Sequence, residues 1–287
     1  MPVPRHVERF IGRHGKRFSH AAAIVSLRMD LGLSGTVVLV TGAGQGLGRA
    51  IGLAFAAERA DVAFHYHSSG DGAESAAKEA RALGVKSLAV RADLRVEPEV
   101  AAAVERVERG LGPIGVLVNN AAATQRKLFL ESTPADWAAQ VDVTVKGTLL
   151  ITHAVVGLMA TRGSGVIVNL MGDSGRVGES RLLVTATARA ATVGLTKSLA
   201  REFARAGIRA NCVSIALVQT DRFDAHAGGA RHEPLNDERM KKIVAQYPLG
   251  RVGRADDVTP MVLLLASPRA GWITGQVVSV NGGYAML

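Results

Sequence analysis

A glycine-rich turn set between an apolar strand and a helix constrains this chain more than any other feature. Residues 36–40 are a short β-branched run, and Thr41-Gly42-Ala43-Gly44-Gln45-Gly46-Leu47-Gly48 follows at once. Residues 47–59 then carry Ala and Leu at helical spacing. Glycines at such a junction let the backbone turn tightly and approach a pyrophosphate. The helix N-terminus adds N–H donors and the positive end of its dipole. A glycine pattern alone is a weak signal, and a strand before it with a helix after it is the context that gives it weight. The plainer alternative is a tight turn without a ligand. The placement favours a nucleotide, with Gly42, Gly44, Gln45, Gly46, Leu47 and Gly48 as the expected contacts.

The same alternation continues to the C-terminus. Strands are expected at 62–66, 86–91, 115–118, 165–170, 208–215 and 276–280. Helices are expected at 72–83, 98–109, 134–162 (interrupted at Gly147), 182–206 and 255–266. Residues 219–247 are polar and punctuated by Gly228-Gly229, and they read as an irregular loop. Repeated βα units with near-continuously apolar strands predict an α/β fold, a doubly wound parallel sheet of Rossmann type covered on both faces. No repeat or internal linker divides residues 29–287, so one domain is expected.

Charge needs dividing before it is read. The chain of 287 residues is formally +9, which raises the question of nucleic acid. Residues 1–28 hold Arg5, Arg9, Arg13, Lys16, Arg17 and Arg28 against Glu8 alone, so that leader is +5 and the rest only +4. Aromatic residues make up 4% of the chain and no basic patch in the body carries them, so a nucleic-acid partner is not expected. The leader lacks the apolar core and cleavage site of a secretory signal. It is expected to be a disordered extension or the product of an early start, with the domain beginning near Met29. A transit peptide is the compositional alternative. One Cys excludes a disulfide framework and a multi-cysteine metal site. No run of 18 apolar residues appears, so no membrane span is expected. The expected location is the cytoplasm.

The end of the second strand bears on which dinucleotide is held. A carboxylate there would bind a ribose 2′-OH and repel a 2′-phosphate. The stretch reads Phe64-His65-Tyr66-His67-Ser68-Ser69, with no acid before Asp71. Tyr66, His67 and Ser68 are therefore expected to meet the adenosine ribose, and NADP(H) is favoured over NAD(H).

These landmarks and several more resemble the short-chain dehydrogenase/reductase family, especially its 3-oxoacyl-acyl-carrier-protein reductase-like members. The resemblance spans residues 30–287. Thr41–Gly48 matches the family's glycine turn, and Asp93-Leu94 matches its adenine-contacting pair. Asn119-Asn120-Ala121 matches the segment after strand four, with Ala122 where the family has Gly. Gly194-Leu195-Thr196-Lys197-Ser198-Leu199-Ala200 matches the active-site helix, and Ile273–Gln276 with Asn281-Gly282-Gly283 match the C-terminal strand and turn. The resemblance implies hydride transfer between a nicotinamide and a carbonyl or alcohol carbon, and assembly as a homodimer or homotetramer. It adds Asn120, Ala121, Arg189 and Thr220 to the expected cofactor contacts.

The chemical end departs from that pattern. In the family a Tyr moves the proton, a Lys lowers its pKa and holds the ribose, a Ser bonds the substrate oxygen and an Asn holds a relay water. The flanking matches put Thr185 at the Tyr position and Arg189 at the Lys position. Gly172 stands at the Ser position and Thr144 at the Asn position. A Thr hydroxyl titrates far above the phenol value of about 10 and is too short to reach the same oxygen. The usual Pro-Gly after strand six is also replaced, by Ile215-Ala216. Asp173, Ser174, His226, His232 and Tyr247 lie near enough in sequence to offer other chemistry, although a solvated loop role is the simpler reading of each. An Arg at the Lys position also occurs in haloalcohol dehalogenases, but those keep Ser and Tyr and lose the glycine turn, the reverse of this chain. Two functions stay open: a divergent NADP(H) oxidoreductase with a non-standard proton donor, and a non-catalytic nucleotide-binding protein acting as sensor or as subunit beside an active paralogue.

Overall fold

The computed structural model describes residues 30–220 and 237–287. Leu31–Leu287 form one compact unit, which holds all the elements that follow.

Seven strands form one sheet: β1 (Val37–Val40), β2 (Asp61–Tyr66), β3 (Ser87–Arg91), β4 (Ile114–Asn119), β5 (Gly165–Gly172), β6 (Ile208–Ile215) and a C-terminal strand, β9 (Val277–Val280). Their order is β3-β2-β1-β4-β5-β6-β9, and the pairings are parallel throughout. Two short strands, β7 (Val218–Gln219) and β8 (Gly253–Arg254), pair separately.

β1 shows why both faces are covered. All four of its residues are buried. Side chains alternate across a strand. Val38 and Val40 enter a core with α1 (Gly46–Ala57), α2 (Gly70–Ala82) and α9 (Ala255–Ala266). Val37 and Leu39 enter a second core with α3 (Glu97–Leu111), α5 (Thr148–Arg162) and α7 (Leu183–Phe203), the last preceded by a short α6 (Ser174–Val177). A strand buried on both faces must be apolar at every position, which is what residues 37–40 are.

Two expectations need correction. The helical stretch 134–162 does not break at Gly147. It runs as α4 (Pro134–Val141), a π-helical segment (Asp142–Gly147) and α5. Gly147 serves close packing instead, because a Cβ there would lie 2.9 Å from the Cβ of Leu94. The same stretch is, by length and composition, apolar enough to cross a membrane, although it contains no unbroken apolar run. Here it is a core helix, with Ile151, Val155, Val156 and Met159 buried on the sheet. Residues 219–247 are also not irregular throughout. Besides Gln219 in β7, they contain α8 (Asp237–Val244), whose last turn carries Lys241 and Lys242 where the helix dipole favours cations. His226 and His232 lie outside the described residues.

Candidate functional site

The strand order reverses between β1 and β4, and a crevice opens outside their carboxyl ends. The glycine turn forms its floor. Gly42 and Gly46 have φ of 63° and 56°, left-handed values that disfavour side chains. A Cβ at Gly48 would lie 2.4 Å from Asn120 Nδ2 and 2.5 Å from the Gly42 oxygen. Asn120 Nδ2 donates to the carbonyls of Thr41 (2.9 Å) and Gly42 (3.2 Å). The N–H groups of Asn120 and Ala121 both donate to Thr41 Oγ1 at 3.0 Å. The segment after β4 thus clamps the turn into shape.

The cavity above this floor measures about 530 Å³. Gln45, Gly46, Leu47 and Gly48 line it at the start of α1, and no side chain caps that helix. An uncapped first turn facing a cavity is what an anion such as pyrophosphate requires. The residues present therefore fit a dinucleotide.

Most of the expected contacts converge here. Gly42, His67, Ser68, Asp93, Leu94, Asn120, Ala121, Arg189 and Thr220 all line the cavity. Gly44 and Tyr66 do not. Gly44 packs on the start of α2, where a Cβ at Gly72 would come within 1.9 Å of its oxygen. Tyr66 lies against Gly70 and the first core. In a parallel strand the next residue points to the opposite face, so His65 and His67 reach the cavity while Tyr66 turns away.

His65 is the contact that the sequence reading passed over. Its Nδ1 accepts from the Gly42 N–H at 3.1 Å, which leaves the proton on Nε2 to donate to the Ala92 carbonyl at 3.1 Å. Burial pushes the ring down to about 4, so it stays neutral. A His inside an apolar strand was the available signal, since both buried nitrogens must find partners. Asp93 is held well below the usual carboxylate range, first by its hydrogen bonds from Arg95 (Nε at 2.9 Å, Nη2 at 2.6 Å). His67 Nε2 stands 3.7 Å from the same carboxylate.

A second cavity of about 360 Å³ adjoins the first, sharing Arg189, Ile215, Ala216 and Leu217 with it. Gly172, Thr185 and Arg189 line it together. Thr144 lines neither cavity and accepts from the Ala123 N–H at 3.1 Å. The Thr185 hydroxyl donates to Gln140 Oε1. Arg189 Nη2 donates to Thr124 Oγ1 at 3.3 Å, and burial lowers its pKa. Asp173 and Ser174 line this cavity too, but the Asp173 carboxylate accepts from Ser214 Oγ and from Asn281 Nδ2, which ties β6 to the C-terminal turn. Tyr247 and Tyr284 stack at 5.4 Å on the far wall, and burial raises both phenols. Cys212 is buried in β6 with its thiol pushed up to about 12, so it is no nucleophile.

Comparison with known proteins agrees with this geometry. Residues 42–285 match the family model described as enoyl-(acyl carrier protein) reductase. The 3-oxoacyl-(acyl-carrier-protein) reductase FabG of Staphylococcus aureus is 37% identical over 248 residues, covering 86% of this chain and 97% of that protein. The FabG of Aquifex aeolicus is 36% identical over 256 residues, covering 89% and 99%. Among solved structures, a gluconate 5-dehydrogenase from Burkholderia cenocepacia in complex with NADP and tartrate superposes with a TM-score of 0.81 at 26% identity, covering 88% of this chain and 96% of that one. A Beutenbergia cavernae protein assigned as an NAD(P)-dependent gluconate 5-dehydrogenase, with bound NADP, gives 0.80 at 31%, covering 88% and 97%. With its parallel sheet, its clamped glycine turn and relatives matched over nearly their full length, the chain belongs to the short-chain dehydrogenase/reductase family of oxidoreductases.

Proposed function

We propose that this protein binds NADP(H) in the larger cavity and that the family's ordinary carbonyl–alcohol hydride transfer is very slow or lost in it. The observation that carries the reading is the bond from the Thr185 hydroxyl to Gln140 Oε1. The group at the proton-donor position is a short aliphatic alcohol, and its one proton is already engaged. Gly172 brings no hydroxyl to the substrate oxygen, and the Thr144 hydroxyl is taken up by Ala123. Nothing at these positions replaces the phenol as an acid near neutral pH.

Bound NADP(H) would supply a hydride at its nicotinamide. The chain would hold the pyrophosphate with the glycine turn and the first turn of α1, and orient the nicotinamide ribose with Arg189. His67 and Ser68, with no carboxylate at the end of β2, support a 2′-phosphate. The NADP bound by the two structural neighbours supports the same choice. A homodimer or homotetramer is part of this reading, as the family resemblance implies.

One observation favours a second reading, a divergent oxidoreductase with another donor. Tyr284 lines the second cavity, so a phenol is present there on a different element. Two titrations test the binding that both readings share, and one assay separates them. Calorimetry should show NADPH binding more tightly than NADH. Absence of binding by both nucleotides would overturn the proposal. Turnover of an acetoacetyl thioester with NADPH should stay far below the order of 1 s⁻¹ usual for enzymes. A normal rate, lost in Tyr284→Phe, would establish the second reading.

A further inference from the structure

We infer that Arg189 makes the junction of the two cavities a carboxylate-recognition site, so that the ligand taken beside the dinucleotide is a small organic anion. The inference rests on the reading that Thr185 and Gly172 no longer handle a carbonyl oxygen.

The guanidinium is placed where both cavities meet. It carries five N–H donors in a planar fork. Its one hydrogen bond among the described residues is the 3.3 Å contact to Thr124 Oγ1, and it has no ion pair there. One neighbouring cation is matched by an ion pair. Arg126 pairs with Glu179 on the wall of the second cavity. The Asp173 carboxylate on the same wall takes hydrogen bonds from the neutral Ser214 and Asn281 and forms no ion pair with Arg189. Burial works against the charged form of Arg189, yet a guanidinium does not give up its proton in a protein. A cation left so calls for an anion.

The space before the fork is open to one. A Cβ at Gly172 would stand 4.0 Å from both Cζ and Nε of Arg189, so the strand end presents bare backbone there. Thr185 has turned to Gln140. Ribose hydroxyls can use one edge of the fork, but they are neutral and leave the charge unmatched. A carboxylate takes two parallel N–H bonds and matches it. A lysine would offer only a point charge. Leu182, Ile215 and Leu217 add apolar wall, and the volume of about 360 Å³ suits a short-chain acid.

The test compares acetoacetate with its neutral ester, ethyl acetoacetate, by ligand-observed NMR titration of the full chain with and without saturating NADPH. The acid should bind at least ten-fold more tightly than the ester. Arg189→Met should bring acid binding down to the level of the ester, and Arg189→Lys should fall between. Melting points of both variants report their folding. Should the Met variant fail to fold, the Lys variant and the wild-type acid–ester ratio still decide. Equal affinity for acid and ester, no binding of the acid, or wild-type binding in folded Arg189→Met overturns the inference. Inorganic phosphate binding more tightly than acetoacetate would overturn the carboxylate assignment in favour of a phosphate group. The NADPH titration is read separately, so failure of dinucleotide binding with intact acid–ester discrimination would count against the proposed function alone.

Discussion

His65 Nδ1 receives the N–H of Gly42 at 3.1 Å, so the first glycine of the turn is hung from the neighbouring strand. The bond exists only while Nδ1 is unprotonated. Burial lowers the folded-state pKa from 6.5 to about 4, so between those values the unfolded chain binds more protons than the folded one. Stability from this group is complete above pH 6.5 and is lost as pH falls toward 4, by up to about 3 kcal/mol. The melting point should therefore drop on acidification through that window. His65→Asn, which keeps an acceptor near Nδ1 and does not titrate, should flatten the drop. An unchanged slope in the variant would show that other groups dominate.

Gly48 gives a second expectation. A Cβ there meets Asn120 Nδ2 and the Gly42 oxygen at 2.4 and 2.5 Å, and the oxygen is backbone that yields little. Gly48→Ala must push Asn120 off Thr41 and Gly42 and so deform the floor of the larger cavity. The expected cost is about 1–3 kcal/mol in stability. NADPH affinity should fall by at least ten-fold, as read by calorimetry on folded protein. Gly84→Ala, where a Cβ meets nothing within 4 Å but φ is 88°, controls for backbone strain on the surface and should leave affinity unchanged.

Asp173 shows what a buried acid is for here. It is 1% exposed and receives Ser214 Oγ and Asn281 Nδ2, while its own N–H donates to the Ile215 carbonyl at 2.8 Å. Asp173→Ala leaves the buried Ser214 hydroxyl without its acceptor and the half-buried Asn281 Nδ2 with only the Ala285 carbonyl at 2.8 Å. The expected loss is about 3 kcal/mol. In a domain of this size that lowers the melting point by roughly 6–12 °C. A shift within 2 °C would mean that water takes over both donors.

The parallel sheet with helices on both faces was legible because βα alternation leaves little choice. Residues 37–40 must be buried on both faces, and a parallel sheet is the structure that does this. The glycine turn was legible because its neighbours on either side fix its geometry. Tyr66 stands outside the cavity lining for a reason of strand phase: the register that turns His65 and His67 inward turns Tyr66 away, and that phase depends on tertiary packing. Gly44 stands outside the cavity lining because it packs on the start of α2, and in sequence a glycine needed for helix–turn contact looks like one needed for a ligand. α8 was hidden by its shortness and overall polarity, since its apolar face is only Met240, Ile243 and Val244, which pack beside Tyr247 and Val252. The partner of Thr185 is Gln140, 45 residues earlier on another helix, and no local pattern announces such a bond.

That bond also shapes the last expectation. Gly172→Ser, Thr185→Tyr and Arg189→Lys together restore three of the family's four chemical groups. The site has room for the first, since a Cβ at Gly172 meets Ser174 Oγ at 3.6 Å and Arg189 at 4.0 Å, ordinary contact distances. Thr185 lines the second cavity, so a phenol there has space to enter once it gives up Gln140. Tyrosine without lysine has an unassisted pKa, and lysine or serine without tyrosine has no acid to assist. Each single variant should therefore show no measurable NADPH oxidation with an acetoacetyl thioester. The triple variant should show a clear rate, because groups that act as a unit do not contribute additively. Small additive gains from the singles would mean that Thr185 and Arg189 do not occupy the proton-donor and lysine positions, and that the chemistry of this fold member lies on other residues.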